Sequence, residues 1–89
     1  MSYEDLMKEL QSSYLLQLPD RIEEIKIFIK NENKQALLEE FHKLKGTGAT
    51  YGFPEITQVA KEAEAYLNQE KNFEADKIHK FLKDIEEIF

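Results

Sequence analysis

Residues 33–52 read NKQALLEEFHKLKGTGATYG, and their periodicity decides the fold class. Leu37, Phe41, Leu44, Gly48 and Tyr51 recur at i, i+4, i+7, i+11 and i+14, the stripe of an amphipathic helix that faces a core. The spacing predicts a helix from about Asn33 that stops at Gly52, a residue suited to the left-handed C′ position. At ~100° per residue, with Leu37 as origin, the stripe lies within about 40° of zero. His42 falls at about 140°, outside the stripe. Beside it come Lys45 at about 80°, Leu38 at about 100°, Ala49 at about 120° and Gly46 at about 180°. One face of this helix is therefore expected to be core. The other exposes a histidine among a cation, a glycine and small or apolar side chains.

The rest of the chain follows the same period. A first helix is expected from Tyr3 to Leu16, with Tyr3, Leu6, Leu10 and Tyr14 on one side and Ser2 as N-cap. Pro19 suits the first turn of a second helix, where its missing N–H costs nothing. Ile22, Ile25 and Ile29 form that helix's stripe. Ile27 and Phe28 widen it and suggest burial on two sides, partly under the first helix. Asn31-Glu32-Asn33 is a turn. Pro54 opens the fourth helix, with Ile56, Val59, Ala60, Ala63 and Leu67 inward; 68–72 (NQEKN) is a second turn. The last helix carries Ile78, Phe81, Leu82, Ile85 and Phe89. All of these Leu, Ile, Phe and Ala side chains are expected in the core. No alternating strand pattern, internal repeat or low-complexity segment occurs. Short connections make successive helices antiparallel, so the expected fold is all-α: an up-down-up-down antiparallel four-helix bundle with an additional N-terminal helix, in one domain over 1–89.

Composition narrows the function. The 89 residues carry a net charge of −6, which opposes nucleic-acid phosphates and anionic membranes. No apolar run approaches the ~20 residues that span a bilayer. No leader is visible, since Met1 runs straight into polar Ser-Tyr-Glu-Asp. Without cysteine there are no disulfides or thiolate metal sites, and the expected compartment is the reducing cytoplasm; separately, a monomer is expected. The acidic pairs Glu23-Glu24, Glu39-Glu40 and Glu86-Glu87 are read as solvated surface.

All three glycines, Gly46, Gly48 and Gly52, lie close to His42. A glycine inside a helix costs about 1 kcal/mol against alanine, and β-branched Thr47 and Thr50 add smaller penalties. Such costs suit a surface shaped for close approach. Gly46, one turn from His42, strips bulk from beside the imidazole; Gly48 points inward and suits tight helix packing. A neutral imidazole is a competent nucleophile at pH 7. A phosphoryl group on it would share its face with Lys45, whose ammonium could offset the charge. No nucleotide-binding loop, base–nucleophile triad or cleft acid pair accompanies it. The chain could carry a phosphoryl group but has no visible means of taking one from ATP.

His42-Lys43-Leu44-Lys45-Gly46-Thr47, then Tyr51-Gly52 and a new helix, resembles the H-x-L-K-G signature of histidine-containing phosphotransfer (HPt) domains. The motif covers residues 42–52 and the helix pattern essentially the whole chain. The resemblance implies a phosphorelay intermediate of two-component signal transduction, not a kinase, that takes a phosphoryl group from a receiver-domain aspartate and yields it to another. It implies phosphorylation at His42, on Nε2, with Lys45 near the phosphate and Gly46 admitting the partner. Leu38, Ala49 and Glu64 fall with the partner-contacting residues, Glu64 where the family often has a polar group near the histidine. The implied partners are response-regulator receivers or a hybrid sensor kinase; Mg²⁺ comes with the receiver, so no cofactor of its own is expected. Thr50 and the bulky Tyr51-Gly52-Phe53 depart from the common pattern and bear on partner choice.

Two other classes compete. Glu39-x-x-His42 and Asp76-x-x-His79 match half of a di-iron bundle motif, but ligands must point inward together and both histidines sit off their stripes. An interaction-only bundle of the same shape would do no transfer; the intact His42 speaks against it. Gly46-x-Gly48 follows a helix rather than a strand, which discounts a phosphate-cradling loop. His79 has Lys83 one turn on but no small neighbours, and reads as a solvated histidine.

Overall fold

A computed structural model describes residues 2–89; Met1, the first residue of the expected 1–89 domain, lies outside them. The described residues form four helices and no strand: α1 Tyr3–Lys30, α2 Lys34–Gly48, α3 Pro54–Gln69 and α4 Ala75–Glu86. α2 and α3 pair most extensively, α4 packs on α3, and α1 closes the ring against both α2 and α4. Leu18, Ile25, Leu37, Phe41, Leu44, Ile56, Leu67, Ile78, Leu82 and Ile85 fill the centre and are essentially inaccessible. Burial of each such side chain is worth about 1.5–3 kcal/mol. The stripes read from Ile22 to Ile29, Leu37 to Leu44, Ile56 to Leu67 and Ile78 to Ile85 supply this core, whereas the stripe of the first expected helix reaches it only at Tyr14.

The helix count differs from the expectation. There is no separate N-terminal helix: α1 runs unbroken for 28 residues, with Pro19 inside it. A proline in mid-helix costs about 3 kcal/mol and leaves the carbonyl four residues back unpaired. Here Pro19 is exposed, while Tyr14, Leu18, Ile22, Ile25 and Ile29 run past it as one buried stripe. Tertiary packing on both sides outweighs the break. The merged helix is about 42 Å long against about 22 Å for α2, and the molecule measures 48 × 21 × 20 Å.

The N-terminal turns of α1 therefore reach beyond their neighbours. Leu6 and Leu10 stay exposed at 47% and 41%, contrary to their assignment to the core, and Tyr3 on the same side is 76% exposed. Ile27, expected under the first helix, is exposed because no such helix covers it, and Phe89 is exposed at the chain end. Phe28, Val59 and Phe81 are half-buried against the core.

The boundaries have local causes. Ser2 Oγ accepts the Asp5 N–H and Asn33 Oδ1 accepts the Ala36 N–H, capping α1 and α2 as their sequences suggest. Pro54 stands at the start of α3. Past Gly48 the chain closes with the Phe53 N–H on the Gly48 carbonyl (2.8 Å) and the Gly52 N–H on the Ala49 carbonyl (3.0 Å). This is a Schellman closure, with Gly52 at φ 90°.

Candidate functional site

α2 lies between α1 and α3, with His42 outward on the α3 side; 71% of its side chain is exposed. The wheel reading of an outward histidine is what the structure shows. His42 Nδ1 lies 3.1 Å from Glu64 Oε2 of α3. Lys45, one turn along α2, donates from Nζ to Glu64 Oε1 at 2.5 Å. One carboxylate thus bridges the histidine and the lysine.

The electrostatics fix the imidazole. The Lys45 hydrogen bond, helped by His42 and opposed by desolvation, holds the Glu64 carboxyl below its ordinary 4.5. Glu64 is ionised at neutral pH and can only accept, so the hydrogen sits on His42 Nδ1. In the neutral ring Nε2 is then the nitrogen with the lone pair, and it has no hydrogen-bond partner among the described residues. The second-residue constraint that sets a histidine tautomer is therefore supplied from α3.

The surrounding surface is low. A Cβ added at Gly46 would meet nothing within 4 Å. Ala49 is exposed and Leu38 half-buried against the core. Gly48 does the opposite job: a Cβ there would come within 2.7 Å of Thr57 Oγ1 and 2.8 Å of the Thr57 backbone nitrogen.

The α1 flank anchors the same turn of α2. Tyr14 Oη lies 3.0 Å from Thr47 Oγ1, which donates to the Lys43 carbonyl. The Tyr14 ring stacks on Tyr51 (4.8 Å between centroids) and on Phe53 (5.9 Å). The bulk of Tyr51-Gly52-Phe53 is thus used against α1. Glu40 is not solvated surface as expected. It is buried, 3.9 Å from Arg21 Nη1 and 3.5 Å from Lys43 Nζ, because it faces α1.

The structure brings together His42, Lys45, Gly46 and Glu64, with Ala49 and Leu38 beside them. Glu64 lies beside the imidazole, at the position where the resemblance put a polar group. A residue absent from the sequence reading joins them: Thr57 of α3 donates to the Lys45 carbonyl and accepts the Ala49 N–H. No sequence signal marks it, since a threonine in a first helical turn is ordinary. Among the described residues no three His, Asp or Glu side chains converge to hold a metal ion. Glu39, His42, Asp76 and His79 all point into solvent, which removes the geometry a di-iron site needs. His79 makes no hydrogen bond or ion pair among the described residues.

A family model described as the Hpt domain matches residues 9–88. The chain belongs to the Hpt domain family. Curated proteins and solved structures gave no match. Hpt domains are helical phosphocarriers that take part in histidine phosphotransfer within phosphorelays, exchanging phosphoryl groups with receiver domains and kinases and generally lacking kinase activity themselves. No helix among the described residues of this Hpt domain is long and apolar enough to cross a membrane.

Proposed function

We propose that His42 is the phosphoacceptor, and that the chain shuttles a phosphoryl group between receiver-domain aspartates in a cytoplasmic phosphorelay. The observation that carries this is the pairing of His42 Nδ1 with an ionised Glu64, beside the open surface at Gly46. Nε2 attacks the phosphorus of a receiver phospho-aspartate. The N–P bond forms as the aspartyl O–P bond breaks, and the carboxylate leaves with the electron pair. The imidazole becomes cationic while keeping its Nδ1 hydrogen, and Glu64 opposes that charge. Return transfer reverses each change. Lys45 offers its ammonium to the phosphoryl oxygens as a point charge. Receiver domains bring the Mg²⁺ of the transfer, and the chain acts as a monomer with response-regulator receivers or a hybrid kinase as partners.

The direct test is incubation with receivers carrying labelled phosphate. The wild-type chain gains acid-labile label, whereas His42→Gln keeps its circular dichroism and gains none. A His42→Gln variant that still labels places the phosphoryl group elsewhere.

A further inference from the structure

Lys45 is gripped from α3 at both ends. Its ammonium bonds Glu64, and its backbone carbonyl accepts from Thr57 Oγ1 at 2.9 Å. Thr57 Oγ1 in turn accepts the Ala49 N–H at 2.8 Å. Lys45 and Ala49 stand at i and i+4, so one side chain of α3 bridges the carbonyl and amide that define a helical turn of α2. Thr57 and Glu64 are seven residues apart, two turns along one face of α3. That face meets α2 on either side of the Lys45 side chain.

The turn so held has low helix propensity. It contains Gly46, Thr47 and Gly48, poor helix formers, at the end of the helix where fraying begins. Thr47 and Thr50 bond back to the Lys43 and Gly46 carbonyls, at 2.9 and 3.1 Å, a pattern that slightly loosens and bends helices. Left to its own propensities this segment would open. Yet it carries the low surface at Gly46 and Ala49, and it sets where Lys45 departs from the backbone.

We infer that Thr57 is a positioning residue for phosphotransfer. Its hydroxyl keeps the Lys45–Ala49 turn helical, so the docking surface and Lys45 are in place before a receiver arrives. It acts through α2 and touches neither the imidazole nor the phosphoryl group. The inference rests on the His42 reading above.

Three substitutions separate the hydroxyl from the bulk. Thr57→Val keeps the shape and loses both bonds, Thr57→Ala loses bonds and methyl, and Thr57→Ser keeps the hydroxyl. Transfer from a labelled receiver is followed over a range of receiver concentrations, with amide exchange at Ala49 in parallel. Thr57→Val raises the half-saturating receiver concentration by roughly tenfold, because the turn must be ordered on binding, and changes the saturating rate less. The Ala49 amide exchanges faster while Leu44 stays protected. Thr57→Ser recovers both readouts. If Thr57→Val does not fold, the contrast between Ala and Ser decides. Folded Val or Ala variants that transfer like wild type overturn the inference, as does a Ser variant impaired as badly as Val or Ala. A wild-type chain that takes no label overturns the His42 reading and this one with it. A labelled wild type with an equally active Thr57→Val overturns this one alone.

Discussion

On the outward face of α2, a Cβ added at Gly46 would meet nothing within 4 Å. On the inward face, two residues away, one added at Gly48 would press on Thr57 at 2.7 Å and on the Phe53 carbonyl at 3.0 Å. The two glycines look alike in sequence and answer different demands. Gly48 is there because α2 and α3 approach too closely for a side chain. Nothing in the fold asks for Gly46, and alanine would serve the helix better. The difference separates residues that build the bundle from residues that keep its surface open beside His42.

The comparison breaks most easily at Gly48. Gly48→Ala should cost about 1–3 kcal/mol in denaturant unfolding, because two of the atoms it meets are backbone and cannot rotate away. An unchanged midpoint would mean that α2 and α3 are not so close.

Glu64→Gln tests the outward face. Replacing a charge-assisted bond with a neutral one should slow transfer by roughly tenfold in a receiver assay. It also has a pH signature. The folded-state pKa of Glu64 is lowered, so the unfolded chain binds more protons near and below 4.5 and stability rises with pH there. The contribution of Glu64 is complete above that value and is lost as pH falls through the folded pKa. Wild type and Glu64→Gln should therefore differ in urea stability at neutral pH and converge in acid; a constant gap would show that Glu64 does not titrate as an ion pair.

Gly46→Ala should stabilise the chain by up to ~1 kcal/mol, read as a raised melting temperature, while the larger Gly46→Gln slows transfer with the bundle intact. If Gln transfers at the wild-type rate, open access is not what Gly46 provides. The smallest effect belongs to His79→Gln. His79 has no partner among the described residues, so stability should stay within about 0.5 kcal/mol and labelling should be unchanged.

The core of α2, α3 and α4 was legible because Leu37, Phe41 and Leu44, then Ile56, Ala60 and Ala63, then Ile78, Leu82 and Ile85 hold helical phase without interruption. The same phase put His42 outside. Pro19 was misleading: propensity says a helix begins there, but Leu18 carries the stripe from Tyr14 to Ile22 straight past it. Once the two helices are one, the exposure of Tyr3, Leu6 and Leu10 follows from length alone. What stayed hidden depends on register between helices. That Glu64 reaches both His42 and Lys45, and that Thr57 enters the turn at Lys45, is fixed by how α3 slides along α2. No periodicity within one helix encodes that.

The central claim is that His42 carries the phosphoryl group on Nε2 while Glu64 holds the hydrogen on Nδ1. Nitrogen-15 NMR of the imidazole rings, recorded after incubation with a phosphorylated receiver, observes both atoms. The account predicts phosphorus coupling at Nε2 of His42 alone, a protonated Nδ1 in the same ring, and unshifted His79 resonances. Phosphorus at Nδ1, or on His79, would contradict it.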